Sequence, residues 1–142
     1  MYASLLGAFI RRSVRRLNNG DIGPMLAAYA DDAVHKFPGK SSWAGTRRGK
    51  AEIEKFLQRF VDVSLQLEIR QFVVSGWPWN TSVCVLFTDF AQDDSGNVVY
   101  ENSGVIYARI SWGKITFQEN FEDTEKVTAF DAYLAAHEPS AS

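Results

Sequence analysis

The sequence predicts an α+β fold in which helices pack on one face of an antiparallel sheet. Two observations carry this. Up to about residue 60 the apolar residues recur at helical spacing, and from Leu65 onward they alternate in short runs separated by turn residues. Helices first and hairpin-linked strands afterwards is the order of α+β architecture rather than of a parallel α/β sheet. The 142 residues make one domain of ordinary size, placed at 1–136, with 137–142 as a polar, proline-containing tail that frays.

Leu6, Phe9, Ile10, Val14 and Leu17 form the stripe of a first helix, which Asn18-Asn19-Gly20 stops. Arg11, Arg12, Arg15 and Arg16 fall beside that stripe as a solvated face. Asp21 then caps a second helix reaching Tyr29, so the two form a helical hairpin that ends at Asp31-Asp32. Ala33 to Phe37 reads as a short strand, and Pro38-Gly39 turns the chain into a loop running to Gly49. Gly49 caps a third helix with Ile53, Phe56, Leu57 and Phe60 on one face.

Four strands follow, marked by Leu67, Ile69, Phe72 and Val74, then by Thr81 to Ala91, Asn97 to Ser111 and Lys114 to Glu122. Asp94-Ser95-Gly96-Asn97 and Ser111-Trp112-Gly113 are the turns between them. Asp93 to Gly96 lacks the spaced acids and terminal glutamate of a calcium loop and reads as a hairpin turn. Trp77-Pro78-Trp79 sits at another strand turn, where it gates a pocket or borders a dimer. Val127, Phe130 and Leu134 form a closing helix.

Composition excludes several classes of function. Apolar residues make up 46 % and charged residues 23 %, a globular balance, and a formal net charge of −2 offers no field for nucleic acid or an anionic membrane. Arg47, Arg48 and Lys50 could receive an anion, but no phosphate-cradling glycine motif accompanies them. A single cysteine, Cys84, excludes an intrachain disulfide and fits a reducing, cytoplasmic compartment. The Arg-rich start superficially resembles a transit peptide; its apolar run precedes the arginines, and it reads as a structural helix. No stretch approaches the roughly 20 apolar residues of a membrane span. There is no nucleotide, flavin or metal motif, and two histidines about a hundred residues apart make no metal site, so any chemistry is expected to be free of cofactor and metal.

The succession of "NNGD", "YADDAV", "PGKSSWAGTRRG" and "GKITFQENFEDTEKV" resembles the nuclear transport factor 2-like superfamily, in its SnoaL-like and ketosteroid isomerase-like branch, over roughly residues 5 to 135. The resemblance implies a cystatin-like α+β roll: a strongly curved sheet wrapped around helices into a cone with an apolar pocket, often dimeric through the outer face of the sheet. Phe37 and Trp43 would then wall the pocket instead of meeting water, together with Ser13, Tyr29, Phe56, Phe60, Phe87, Gly104, Ile106 and Gln118.

Carried over position by position, the ketosteroid isomerase base falls on Phe37, the catalytic tyrosine near Ser13 and the protonated aspartate near Ile106, so that set is missing. Of the arginine and two aspartates of limonene-epoxide hydrolases only Asp89 survives, since the arginine falls on Phe87 and the last-strand acid on Asn120. SnoaL-type cyclases share that last-strand acid, which is asparagine here as well.

The same register points His35 inward with Asp89. A carboxylate within hydrogen-bond reach would fix the imidazole tautomer and raise its pKa, giving a general base. In the last strand Gln118, Asn120 and Glu122 share a face, and Ile115, Phe117, Glu119 and Phe121 share the other. The register turns the polar set toward the pocket, which leaves the apolar set to be buried by a second copy of the chain. The expected catalytic set is therefore His35, Asp89, Asn120 and Glu122. Two functions compete. One is a cofactor-free isomerase, hydratase, hydrolase or cyclase acting on a small hydrophobic or cyclic molecule; the other is a small-ligand-binding or scaffold dimer with a vestigial site.

Overall fold

The computed structural model describes residues 1–137. Helix α1 spans Tyr2–Asn18, and its last carbonyls are closed by the amides of Asn19 and Gly20, the latter at φ 89° where a side chain would be strained. The Asp21 carboxylate accepts the Gly23 amide at 3.0 Å, and Pro24 lies in the first turn of α2 (Gly23–Ala28). The hairpin is therefore present, but α2 ends before Tyr29. Tyr29 already belongs to β1 (Tyr29–Phe37), because its backbone pairs with Ile115 while its ring turns into the core.

Within the stretch expected to be loop, Gly45–Arg48 forms a short edge strand, β2, antiparallel to β1 through His35–Arg47 and its neighbours. Gly49, at φ 87°, donates its amide to Ala33 and starts α3 (Lys50–Asp62), which buries Ile53, Leu57 and Phe60. Ile53 is fully enclosed, a burial worth about 1.5–3 kcal/mol. The long strands β3 (Gln66–Trp77), β4 (Asn80–Gln92), β5 (Val98–Ser111) and β6 (Lys114–Glu122) follow, then α4 (Thr124–His137). Of the tail expected at 137–142, His137 is instead the last residue of α4, and 138–142 lie outside the described residues.

The sheet order is β2-β1-β6-β5-β4-β3. All pairs are antiparallel except β1 with β6, which run parallel, so the sheet is mixed. Thr81, Val83, Val85, Phe87, Asp89 and Ala91 line the inner face of β4 in strict alternation. One core cluster joins Leu17, Ala33, Ile53 and Phe130; a second joins Leu6, Val83, Val85 and Ile110 under α1. The outer face carries half-buried Leu86, Val105, Tyr107 and Phe117 with exposed Val73 and Phe121.

In β6 the alternation is interrupted. Arg109 pairs with Phe117 and Ile110 with Ile115, so Thr116 is the extra residue of a bulge. Gln118, Asn120 and Glu122 face inward and Phe117 and Phe121 outward, but Ile115, expected on the outer face, turns inward because the bulge reverses the phase. Between β4 and β5 the Asp93 carboxylate accepts the amides of Ser95 and Asn97, which makes a hairpin turn. Trp77 stacks on Trp79 at 5.7 Å, Trp79 meets Trp112, and all three are exposed at one end of the sheet.

Candidate functional site

Between the concave face of the sheet and the helices lies a cavity of about 120 Å³. Its wall is overwhelmingly apolar. Phe37 and Trp43 are buried in it, and Phe56, Phe60, Phe87, Ile106 and Ser13 also line it. Two expected positions do not. Gly104 is inner-facing but has no side chain to reach the cavity, and His35 is packed behind the wall. None of Trp77, Trp79 and Trp112 lines the cavity.

The polar atoms of the wall fall into two groups. In the first, the Tyr29 hydroxyl donates to Gln118 Oε1, Gln118 Nε2 donates to Asn120 Oδ1 at 3.1 Å, and the same oxygen meets His35 Nε2 at 3.1 Å. An amide oxygen only accepts, so His35 carries its proton on Nε2 and presents a bare Nδ1. That Nδ1 is buried with no partner among the described residues, and Phe56 packs against the ring at 4.5 Å. With its oxygen twice engaged, Asn120 has its amide N–H groups left for the cavity.

This arrangement corrects the expected His35–Asp89 pair. In the sheet order β6 and β5 separate β1 from β4, and the neighbour opposite His35 is Gln118. The pKa of His35 moves down, to about 4, opposite to expectation. Burial disfavours the imidazolium and the Arg47 charge adds to this, outweighing the Asn120 hydrogen bond.

The second group is a pair of buried acids. Asp89 on β4 sits opposite Asn102, and Glu122 on β6 sits opposite Gly104. A Cβ on Gly104 would come within 2.2 Å of the Phe121 carbonyl oxygen and 2.8 Å of the Glu122 Cβ, so the bare backbone there is what lets β6 and Glu122 approach. Asp89 Oδ1 and Glu122 Oε2 are both buried without a hydrogen-bond partner among the described residues. Burial raises the Asp89 pKa to about 7; burial and then the Asp89 charge raise Glu122 to about 8. Near neutrality both acids therefore stand close to their titration points, the condition under which one can act as base and the other as acid.

Tyr100 on the wall and Asn102 buried behind it complete this group, and sequence reasoning missed both. The Tyr100 hydroxyl accepts Asn102 Nδ2 at 3.0 Å, and Asn102 also donates to the Asp123 carbonyl at 2.9 Å. The phenol thus keeps its own proton for another acceptor, and burial together with the two carboxylates holds its pKa above the ordinary value. The signal was present in β5: the inner alternation Ile110, Ala108, Ile106, Gly104 continues backwards to Asn102 and Tyr100. Among the described residues no cluster of three or more His, Cys, Asp or Glu side chains could hold a metal ion, and no helix is long and apolar enough to cross a membrane.

A family model described as a SnoaL-like domain matches residues 10–118. Among solved structures, an NTF2-like protein of unknown function from Burkholderia pseudomallei K96243 is similar at 21 % identity over 89 % of this chain and 96 % of its own, with a TM-score of 0.73. Bal32a, from a soil-derived mobile gene cassette, is similar at 16 % identity over 94 % of this chain and 98 % of its own, also with a TM-score of 0.73. TerC, co-crystallised with polyporic acid, is similar at 25 % identity over 84 % of this chain and 92 % of its own, with a TM-score of 0.68. A search of curated proteins finds no match.

Proposed function

This chain belongs to the SnoaL-like domain family, of nuclear transport factor 2-like fold, and from that premise we propose that it is a cofactor-independent enzyme moving a proton on a small hydrophobic or cyclic molecule. The observation that carries the proposal is the pair of desolvated acids Asp89 and Glu122 in a mainly apolar cavity, each with one buried oxygen that has no hydrogen-bond partner among the described residues. Desolvated acids without partners cost stability and are kept where they serve chemistry.

Asp89, the more acidic of the two, is the base. It takes a proton from a carbon beside a substrate carbonyl, and the charge developing on the carbonyl oxygen is held by the protonated Glu122, the free proton of Tyr100 or the amide of Asn120. Returning the proton from Asp89 to a different carbon completes an isomerisation. His35 is a positioning residue in this scheme, since its Nε2–H fixes the Asn120 amide. The co-crystallisation of TerC with polyporic acid supports a small organic molecule as the ligand class. The free Cys84 supports a reducing compartment, and a cytoplasmic location is part of the proposal. So is a homodimer formed through the outer face of the sheet, supported by the apolar side chains that face displays.

The test is isomerisation of β,γ-unsaturated cyclic ketones, with deuterium uptake from D₂O followed by NMR. Wild type is expected to accelerate both, and Asp89→Asn to lose about 10²–10⁴-fold. The rate should be bell-shaped in pH, rising as Asp89 ionises near 7 and falling as Glu122 deprotonates near 8, with the rising limb absent from the Asp89 variant. Ketone binding without exchange at any pH would replace the enzymatic reading by the binding one.

A further inference from the structure

Beside the cavity, β2 and α3 enclose an open cleft of about 400 Å³ whose charged lining is Arg47, Lys55, Arg59 and Glu52. Phe56 lines both spaces, so the two adjoin along its ring. We propose that this cleft binds the carboxylate of an amphipathic ligand whose apolar part occupies the inner cavity. The inference rests on the cavity being a ligand site and adds what the ligand must carry.

The charge is unbalanced toward cations. Arg47 has no carboxylate partner among the described residues. Its Nη2 donates to the Trp43 carbonyl at 2.8 Å, and its Nη1 is buried with nothing to donate to. The guanidinium carbon sits over the Phe56 ring, 4.5 Å from its centroid, a cation–π contact that holds the group beside the cleft. Arg59 lies over Trp43 at 4.0 Å, donates to the Ser42 hydroxyl at 2.6 Å and reaches Asp131 at 3.7 Å. Glu52, the one acid of the cleft, already accepts the Arg48 amide. Arg47 is destabilised as a cation by burial and by Arg59, the situation a bound carboxylate relieves. Trp43 Nε1, at the same aromatic wall, is a second buried donor without a partner among the described residues. A planar guanidinium edge matches a carboxylate in geometry and charge, and the half-buried position of Arg47 weakens the screening of that contact.

The experiment compares two probes of equal shape, 3-phenylpropionate and 3-phenylpropan-1-ol, by calorimetric titration of the full chain at low and high sodium chloride. The carboxylate is expected to bind at least about tenfold more tightly than the alcohol at low salt, with the gap narrowing at high salt. Arg47→Gln should abolish the gap and leave the alcohol unchanged. Lys55→Gln, on an exposed side chain, should reduce carboxylate affinity about two- to threefold at unchanged thermal stability, and decides the matter if Arg47→Gln does not fold. Equal affinities, a salt-insensitive preference, or a preference surviving Arg47→Gln overturns this inference while leaving the cavity reading intact. Failure of both probes to bind overturns both.

Discussion

Proton positions set the chemistry of single residues here. His35 is held neutral with its proton on Nε2, so its ¹⁵N signals should stay constant from pH 8 to 5 and move only as pH approaches 4; titration near 6.5 would refute the Asn120 assignment. Asp89 and Glu122 have the opposite consequence. Unfolded, they release protons near 3.8 and 4.5; folded, near 7 and 8. Between those values the native state holds protons the unfolded chain has lost, so their contribution is full below pH 4 and disappears as pH rises through 7 to 8. Asp89→Asn should therefore melt about 3–6 °C above wild type at pH 9 and equally with it at pH 4, in calorimetric scans. The inward direction of His35, Asp89, Asn120 and Glu122 was legible from the family resemblance and not from alternation alone, which in the last strand would have turned Ile115, Phe117 and Phe121 inward. Who meets whom was not. His35 finds Asn120 through the β1–β6 pairing, and nothing local to "VHKF" or "FQENFE" states that those strands are neighbours.

At the scale of elements, the long strands and helices α1, α3 and α4 were readable from periodicity, since each repeats its pattern several times. β2 was not: four residues with a glycine and two arginines show no alternation, and the strand exists because β1 offers it an edge. The bulge at Thr116 was equally hidden, because an extra residue looks like unbroken sequence until the partner strand is known. Gly104 is where element geometry and site coincide. Gly104→Ala should push β6 away from β5 and cost about 1–3 kcal/mol in urea unfolding, with a shift in the titration of Glu122. An unchanged midpoint would mean that β6 is free to move at that point.

For the whole molecule, the outer face is where the proposed dimer is tested. Phe121 and Val73 are about half exposed, with Phe117, Tyr107, Leu86 and Val105 between them, and Lys36 Nζ lies 5.9 Å from the Phe117 ring. Sedimentation should give a dimer for wild type and a monomer of unchanged circular dichroism for Phe121→Glu; a wild-type monomer would remove the dimer proposal. The parallel seam between β1 and β6 also governs how the chain can reach this shape. It joins segments roughly eighty residues apart, so the loop that closes it spans more than half the protein and is among the slowest contacts to form. The strands β3 to β6 can zip as consecutive hairpins without it, whereas β1, with β2 at its side, waits for the last strand to be synthesised. While the ribosome is still at work, β1 therefore has an unpaired edge and its aromatic side chains lack the wall they will join, which makes the first half of this chain the part that most needs shielding in the cell.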